Sequence, residues 1–166
     1  MEKLLIVNNI LLECIDKTVK TVVIPDGVTK ICKFAFYDCT SLESITIPDS
    51  VSEIGDYAFY NCYSLKKIKI PDGVSIITGR AFFNCISLKS IVIPDSVIKI
   101  GISAFAYCTS LESIKIPDGI TEIGGYAFAY CESLETVRIP NNGITQTDVG
   151  STFMGCTSLK EIKFID

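Results

Sequence analysis

The residues with the clearest potential for chemistry are eight cysteines, in a chain of 166 residues that contains no histidine. Thiolates can ligate metals, form disulfides or act as nucleophiles, and each role needs its own geometry. The nearest pair, Cys32 and Cys39, has six residues between its members. A structural zinc site usually needs cysteines with about two to four residues between them. The spacing therefore argues against a metal site, and neither a metal nor another cofactor is expected.

The absence of histidine also removes the usual base of nucleophilic catalysis, because Ser-His-Asp and Cys-His arrangements need an imidazole. Carboxylates remain as candidate acids and bases. The aspartates that directly follow a proline are Asp26, Asp49, Asp72, Asp95 and Asp118. Aspartate in that position is typical of a turn, where its carboxylate accepts backbone N–H groups. We therefore predict that the protein is not an enzyme and assign no catalytic residue.

These residues recur because the chain repeats itself every 23 residues. The six prolines stand at 25, 48, 71, 94, 117 and 140, and five cysteines stand at 39, 62, 85, 108 and 131. One unit reads C-x-S-L-x-x-I-x-I-P-D-[GS]-V-x-x-I-G-x-x-A-F-x-x. Such a period predicts a solenoid in which each unit buries its apolar face against its neighbours. We place a cap at 1–15, six units at 16–155 and a partial unit at 156–166, all in one domain.

Each unit predicts a strand, a turn and a return segment. The L-x-x-I-x-I run alternates and is β-branched, as in a strand. Ile47-Pro48-Asp49-Ser50 fits a type I turn with proline in its second position. The return segment V-x-x-I-G-x-x-A-F is too short and too interrupted by glycine for a stable helix. Residues 3–14 form two apolar runs around Asn8-Asn9, which predicts a β-hairpin at the N-terminal end.

The unit resembles the BspA-like leucine-rich repeat, in which C-x-x-L-x-x-I-x-I-P and I-G-x-x-A-F recur at this length. The resemblance covers residues 16–166 and implies a mainly β, right-handed leucine-rich-repeat horseshoe with a parallel sheet on its concave face. It also implies binding of proteins or host surfaces, an adhesin-like role and a surface or secreted location. Asp16 departs from the pattern where the first cysteine is expected, and Cys32 and Thr78 replace a usual glycine.

The cysteines of the repeat fit best as small buried residues of the core. Cysteines on successive turns of a solenoid point the same way, which disfavours a disulfide framework. Cys14 and Cys32 lie outside the regular column, so a disulfide between them stays open.

The outward positions of the predicted sheet offer a candidate binding surface. Three rows of positions begin at Lys20, Thr21 and Val23, recur once in each unit and end at Lys160, Glu161 and Lys163. Together they hold nine basic and four acidic residues, a net charge of +5, whereas the whole chain has a net charge of −4. The residues that we assign to this basic surface are Lys66, Lys67, Lys69, Lys89, Lys115, Arg138 and Lys163.

Two functions follow from these features. The first is a binding module that recognises a protein or an acidic glycan through the concave sheet, and the second is a structural spacer without a ligand. A connected basic surface would favour binding, whereas neutralisation by neighbouring acidic columns would favour the spacer. Tyrosines beside the Ala-Phe and cysteine columns offer another surface, at the edge of the solenoid.

Other partners and the location are constrained less firmly. The mild charge balance gives no reason to expect nucleic acid, and no apolar run reaches the roughly 18 residues that insertion in a membrane requires. The uncovered strand with Leu159, Ile162 and Phe164 predicts self-association at the C-terminal edge, unless the irregular segment 141–155 folds over that end. The chain shows no signal-peptide pattern, so a cytoplasmic location, or origin in a longer protein, stays open beside the surface location.

Overall fold

Two kinds of strand alternate along the computed structural model, which describes residues 3–141 and 149–165. The first kind comprises β3 (Thr21–Val23), β5 (Ser44–Thr46), β7 (Lys67–Lys69), β9 (Ser90–Val92), β11 (Ser113–Lys115), β13 (Thr136–Pro140) and β14 (Glu161–Ile165). The second kind comprises β4 (Lys30–Ile31), β6 (Glu53–Ile54), β8 (Ile76–Ile77), β10 (Lys99–Ile100) and β12 (Glu122–Ile123). Strands β1 (Leu4–Val7) and β2 (Ile10–Cys14) precede them, and the short helix α1 (Val149–Thr152) precedes β14.

The first kind of strand forms a parallel sheet of seven strands, called the main sheet below, in the order β3-β5-β7-β9-β11-β13-β14. Equivalent residues of successive units lie side by side, as Ile68 and Ile91 do. The second kind forms two further sheets, β1-β2-β4-β6 and β8-β10-β12. Each unit is therefore one coil of a parallel solenoid, which confirms the predicted fold.

The core is a series of columns that run along the solenoid. Its centre is a stack of phenylalanine rings, with centroids 5.1–5.5 Å apart in successive coils. The members of the stack are Phe36, Phe59, Phe82, Phe105, Phe128 and Phe153. Leucine, isoleucine and cysteine columns surround it and are buried as well. Each ring packs on the ring of the next coil, so the core is continuous although each coil is thin.

The turns after β3, β5, β7, β9 and β11 begin one residue later than we predict from the sequence. The carbonyl of Pro48 accepts the N–H of Val51 at 3.1 Å, so Pro48 is the first residue of the turn and not the second. Proline keeps a φ near −65°, which also suits an extended chain, and its carbonyl remains a full acceptor. The predicted position of proline is therefore wrong. The same hydrogen bond closes the turns that begin at Pro25, Pro71, Pro94 and Pro117.

A β-hairpin begins the solenoid, as predicted. Strands β1 and β2 are antiparallel, and Val7 pairs with Ile10 across the two-residue turn. Asn8 and Asn9 have φ values of 49° and 62°, the left-handed conformation that a tight hairpin turn requires at both positions. Strand β2 also pairs in parallel with β4, so the hairpin continues one of the smaller sheets.

The return segment has no helix because its backbone groups bond to the next coil. The N–H of Phe59 donates to the carbonyl of Ala81 at 2.8 Å, and equivalent bonds recur along the chain. Two residues of each coil adopt a positive φ so that the chain can follow this path. The first column comprises Phe34, Tyr57, Arg80, Ser103 and Tyr126, and the second comprises Asp38, Asn61, Asn84, Tyr107 and Tyr130. Most of the irregular sequence of the sixth unit, 142–148, lies outside the described residues.

Candidate binding surfaces

The outward face of the main sheet displays one variable row between two buried rows. In β7, Ile68 is buried whereas Lys67 and Lys69 are exposed, as the alternation of a strand requires. Along the sheet the central outward row reads Val23, Thr46, Lys69, Val92, Lys115, Arg138 and Lys163. Val23 is 67% exposed and Val92 is 70% exposed, which is unusual for valine. The outward row is therefore open to solvent and mixes basic with apolar side chains.

Most of the predicted basic residues lie beside a carboxylate. Five of the seven form an ion pair: Lys66 with Glu43, Lys69 with Asp49, Lys89 with Glu112, Lys115 with Asp95 and Lys163 with Glu161. In the part of the chain that the structure describes, Lys67 and Arg138 form no ion pair. The five turn aspartates together offset the net charge of +5 of the three outward rows. The surface thus carries mixed charges and is not a connected basic patch.

The ion pairs differ in strength. Lys66 Nζ donates to Glu43 Oε2 at 2.6 Å, and Lys66 lowers the pKa of that carboxyl below its ordinary value. By contrast, Lys69 lies 3.6 Å from Asp49, and both side chains are at least 70% exposed. Lys115 lies 3.7 Å from Asp95 in a similar setting. Such exposed pairs contribute about 0–1 kcal/mol, so a partner can displace the aspartates at little cost.

Two shallow clefts lie on the main sheet. One has a volume of about 510 Å³ and is lined by Lys67, Lys69 and Val92 among others. The other has a volume of about 290 Å³ and brings together Lys115 and Lys163 with Arg138 between them. Five of the predicted site residues are thus joined in two groups, and Lys66 and Lys89 line neither cleft. That any of the seven residues binds a partner stays a prediction.

The cysteines are free thiols, and six of them form a buried column, as expected, whereas Cys32 and Cys156 are partly buried. The Cys85 thiol donates to the carbonyl of Phe59 at 3.3 Å, and burial raises the pKa of Cys85 well above its ordinary value. Cys14 is fully buried next to Cys39, whose thiol lowers the pKa of Cys14, so it extends this column, and it forms no disulfide with Cys32. The placement of Cys14 outside the column is therefore wrong. No cluster that could hold a metal ion occurs among residues 3–141 and 149–165.

A second surface lies on the edge of the solenoid, where the sequence predicts tyrosines. The rings of Tyr37 and Tyr60 stack at 5.1 Å, and Phe34 lies 5.5 Å from Tyr37 and 5.1 Å from Tyr57. A groove of about 930 Å³, called the aromatic groove below, is lined by these four rings together with Leu12, Glu13, Lys17, Lys33 and Asp38. The repeat pattern does not indicate Lys33, Phe34 or Arg80, because their approach to one another depends on the positive φ of Phe34 and Arg80.

No helix in the described part of the chain is long and apolar enough to cross a membrane.

Comparison with protein families gives one match that extends over most of the chain. The family model described as "BspA type Leucine rich repeat region (6 copies)" matches residues 13–94 and 75–166. No curated protein matches the chain significantly.

Solved structures give further matches. A crystal structure of the T. pallidum leucine-rich repeat protein TpLRR is 36% identical, with a TM-score of 0.82, over 93% of this chain and 73% of that one. A leucine-rich repeat protein from Bacteroides ovatus is 32% identical, with a TM-score of 0.64, over 89% of this chain and 43% of that one. The pneumococcal vaccine antigen PcpA is 20% identical, with a TM-score of 0.70, over 94% of this chain and 41% of that one, and shows the fold alone. The chain therefore spans less than half the length of two of these three proteins.

Proposed function

Because the chain belongs to the BspA-type leucine-rich repeat family, we propose that it is a non-enzymatic binding module that recognises a protein or a glycan through the main sheet. The outward row of that sheet carries the proposal. The inward positions stay apolar from coil to coil and are mostly isoleucine, whereas the outward row changes from valine to threonine, lysine and arginine. A solenoid offers a partner an extended surface of this kind on a rigid scaffold.

The basic and apolar side chains on the outward face of the main sheet suit a partner that combines acidic and apolar groups. Val92 is 70% exposed and shares a cleft with Lys67 and Lys69. The loose pair of Lys69 with Asp49 leaves that ammonium group available to a ligand carboxylate or sulfate. Electrostatic attraction then contributes mainly to the rate of association, and apolar contact with the valine contributes to affinity. We expect no binding of nucleic acid and no membrane insertion.

The spacer is the second candidate, and the ion pairs favour it. The row that begins at Lys20 contains residues of both signs, so Lys20 and Lys66 both pair with Glu43, and Lys160 pairs with Glu135. These contacts join neighbouring coils and keep the charge of the surface low. A sheet that acts only as a spacer needs no more than these ion pairs between neighbouring coils and a polar surface.

A pair of matched double variants separates the two functions. Lys67→Glu with Arg138→Glu reverses two charges on the main-sheet face, whereas Lys30→Glu with Lys99→Glu makes the same change of charge in β4 and β10. Binding to panels of sulfated and carboxylated glycans and of acidic proteins is measured by surface plasmon resonance. We expect loss of binding in the first variant and retention in the second, with similar melting curves.

Two other outcomes contradict binding through the main sheet. Undiminished binding by Lys67→Glu with Arg138→Glu would place the site elsewhere on the solenoid. Absence of binding by the unchanged chain across both panels would favour the spacer.

We also propose that the isolated chain self-associates through β14. Among the described strands, β14 pairs with β13 only, and Leu159, Ile162 and Phe164 are partly buried against the core. An unpaired edge above incompletely covered apolar side chains is a site for strand addition. Light scattering should show dimers that Ile162→Lys abolishes, and a monomer at all concentrations would contradict the proposal.

A surface or secreted location is proposed from the family resemblance.

A further inference from the structure

Two basic side chains converge on one tyrosine at the edge of the solenoid, away from the main sheet. Lys33 Nζ lies 5.5 Å from the centroid of the Tyr57 ring and 4.9 Å from that of Phe34. The Arg80 guanidinium lies 5.6 Å from the same Tyr57 ring, and its Nη1 donates to the Tyr57 hydroxyl at 3.0 Å. Three successive coils thus supply Phe34 with Lys33, then Tyr57, then Arg80.

These two cations differ from most basic residues of the chain. Ten of the fifteen basic residues form an ion pair with a carboxylate of the described part of the chain. Across residues 3–141 and 149–165, Lys33 and Arg80 form none and contact aromatic rings instead. A cation held over a ring keeps its full charge, because the ring quadrupole attracts it without neutralising it. The pair therefore offers positive charge to a ligand.

The acidic residues that line the aromatic groove and the adjoining cleft are already engaged. In the groove, Glu13 pairs with Lys17 at 3.4 Å, and Asp38 accepts a hydrogen bond from Asn61 at 2.8 Å. In the cleft, which has a volume of about 420 Å³ and includes Arg80, Asp56 accepts the N–H of Gly79 at 3.0 Å and Glu122 pairs with Lys99 at 2.8 Å. Lys33 and Tyr57 line both cavities, so Lys33 lies where the groove and the cleft meet, and Arg80 lines the cleft beside it.

The backbone of this column is strained. Phe34, Tyr57 and Arg80 have φ values of 64°, 57° and 54°, a conformation that costs an L-residue about 1–2 kcal/mol unless it is glycine or asparagine. Phe34 is also 44% exposed, so its ring gains little from burial. Asparagine or glycine would meet the demands of the fold at lower cost. Ser103 and Tyr126 share this conformation, so the strain belongs to the path of the coil, and Phe34, Tyr57 and Arg80 combine it with converging rings and cations.

We propose that the aromatic groove and its adjoining cleft form a second binding site, which takes an acidic segment of a partner protein. A ligand carboxylate lies between Lys33 and Arg80, and a neighbouring aromatic or large aliphatic side chain packs against Phe34, Tyr37 and Leu12 in the groove. Tyrosine and arginine are enriched among the residues that carry most of the binding energy of protein interfaces, and phenylalanine is enriched in interface cores. The cavity is an open groove, which suits an extended segment.

Fluorescence anisotropy with labelled ten-residue peptides tests the site. Four peptides are compared, namely acidic with aromatic residues, acidic only, aromatic only and basic with aromatic residues. We expect the first to bind, and Tyr57→Asn and Arg80→Asn to weaken its binding by about tenfold or more. Asparagine tolerates the positive φ, so these variants should fold at least as stably as the unchanged chain.

Tyr126→Asn is the matched control, since Tyr126 occupies the same column at a φ of 61° but lies outside the groove. It should leave peptide binding unchanged. The main-sheet variant Lys67→Glu with Arg138→Glu should also leave it unchanged, so the test of the aromatic groove is independent of the test of the main sheet. The proposal is overturned if the acidic aromatic peptide does not bind at about 1 mM, or if Tyr126→Asn weakens it equally. Preference for a sulfated glycan, with the same sensitivity to Tyr57→Asn, would overturn the assignment to a protein segment.

Discussion

The phenyl rings of Phe82 and Phe105 lie parallel, with centroids 5.2 Å apart and 2° between their planes. Phe82 is fully buried, so truncation leaves a cavity between two coils. We expect Phe82→Ala to lower the free energy of unfolding by about 3–5 kcal/mol. Thr46→Ala, at an exposed position of the main sheet, should change it by no more than about 0.5 kcal/mol. Denaturant unfolding compares them, and equal losses would contradict the assignment of inward and outward faces.

The glycines of the return segment provide a second test. A Cβ on Gly101 would lie 2.6 Å from the backbone nitrogen of Gly79, whereas one on Gly125 would meet nothing within 4 Å. We therefore expect Gly101→Ala to destabilise the chain by about 1–3 kcal/mol, because backbone cannot move aside as a side chain can. Gly125→Ala should be neutral or stabilising by up to about 1 kcal/mol. Thermal melts of the two variants compare these effects. A loss of stability in both would show that the close contact of Gly101 with Gly79 is not the cause.

Backbone strain predicts a stabilising substitution. Tyr126 has a φ of 61° and is 46% exposed, so its ring contributes little burial at a strained position. Asparagine adopts this conformation more readily, and Tyr126→Asn should raise the free energy of unfolding by up to about 1 kcal/mol. Tyr63→Asn, at a residue outside the left-handed region, should give no such gain. A lower melting temperature for Tyr126→Asn would show that the ring has a packing role.

The ion pair of Glu43 with Lys66 predicts a dependence on acid. The hydrogen bond from Lys66 lowers the pKa of Glu43 below its ordinary value of 4.5. A carboxyl whose pKa is depressed by folding stabilises the protein above its unfolded pKa, and this contribution disappears as the pH falls through the folded pKa. The stability difference between the unchanged chain and Glu43→Gln should therefore shrink on acidification below about pH 4.5.

Denaturant midpoints at several acidic pH values measure this difference. Glu132→Gln is the control, because Glu132 forms no ion pair within the described residues. A difference that stays constant with pH, or that Glu132→Gln reproduces, would contradict a specific role for Glu43. Since the pair is exposed, added salt should also reduce the effect.

The thiol column predicts an order of labelling. Cys156 is only partly buried, and a hydrogen bond from the Cys131 thiol lowers its pKa. Burial raises the pKa of Cys62 far above its ordinary value, which disfavours the reactive thiolate. Iodoacetamide should modify Cys156 and the partly buried Cys32 first in the folded chain, and all eight cysteines after unfolding without reductant. Mass spectrometry counts the labels, and fewer than eight after unfolding would reveal a disulfide.

The sequence predicts the coil well because its determinants are local. Alternation in the strand fixes Ile68 inward and Lys69 outward, and the repeat places each residue beside its equivalent in the next coil. The turn is displaced by one residue because proline is compatible with two neighbouring positions. The pair of Lys69 with Asp49 is not evident from the repeat, since it joins different columns of adjacent coils. The aromatic groove depends on the positive φ of Phe34 and Tyr57. Bulky residues seldom adopt this conformation, so the sequence gives no local indication of it.

The hydrogen bonds between coils, such as that from Phe59 to Ala81, determine how the chain responds to mechanical force. They run along the axis of the solenoid, so tension applied to its two ends loads them in series and breaks them at one terminal coil at a time. Each coil that detaches releases about 80 Å of contour length, at roughly 3.3–3.6 Å per residue. A molecule of this construction lengthens in steps under load and dissipates work at each step, while the coils that remain attached keep their surfaces intact.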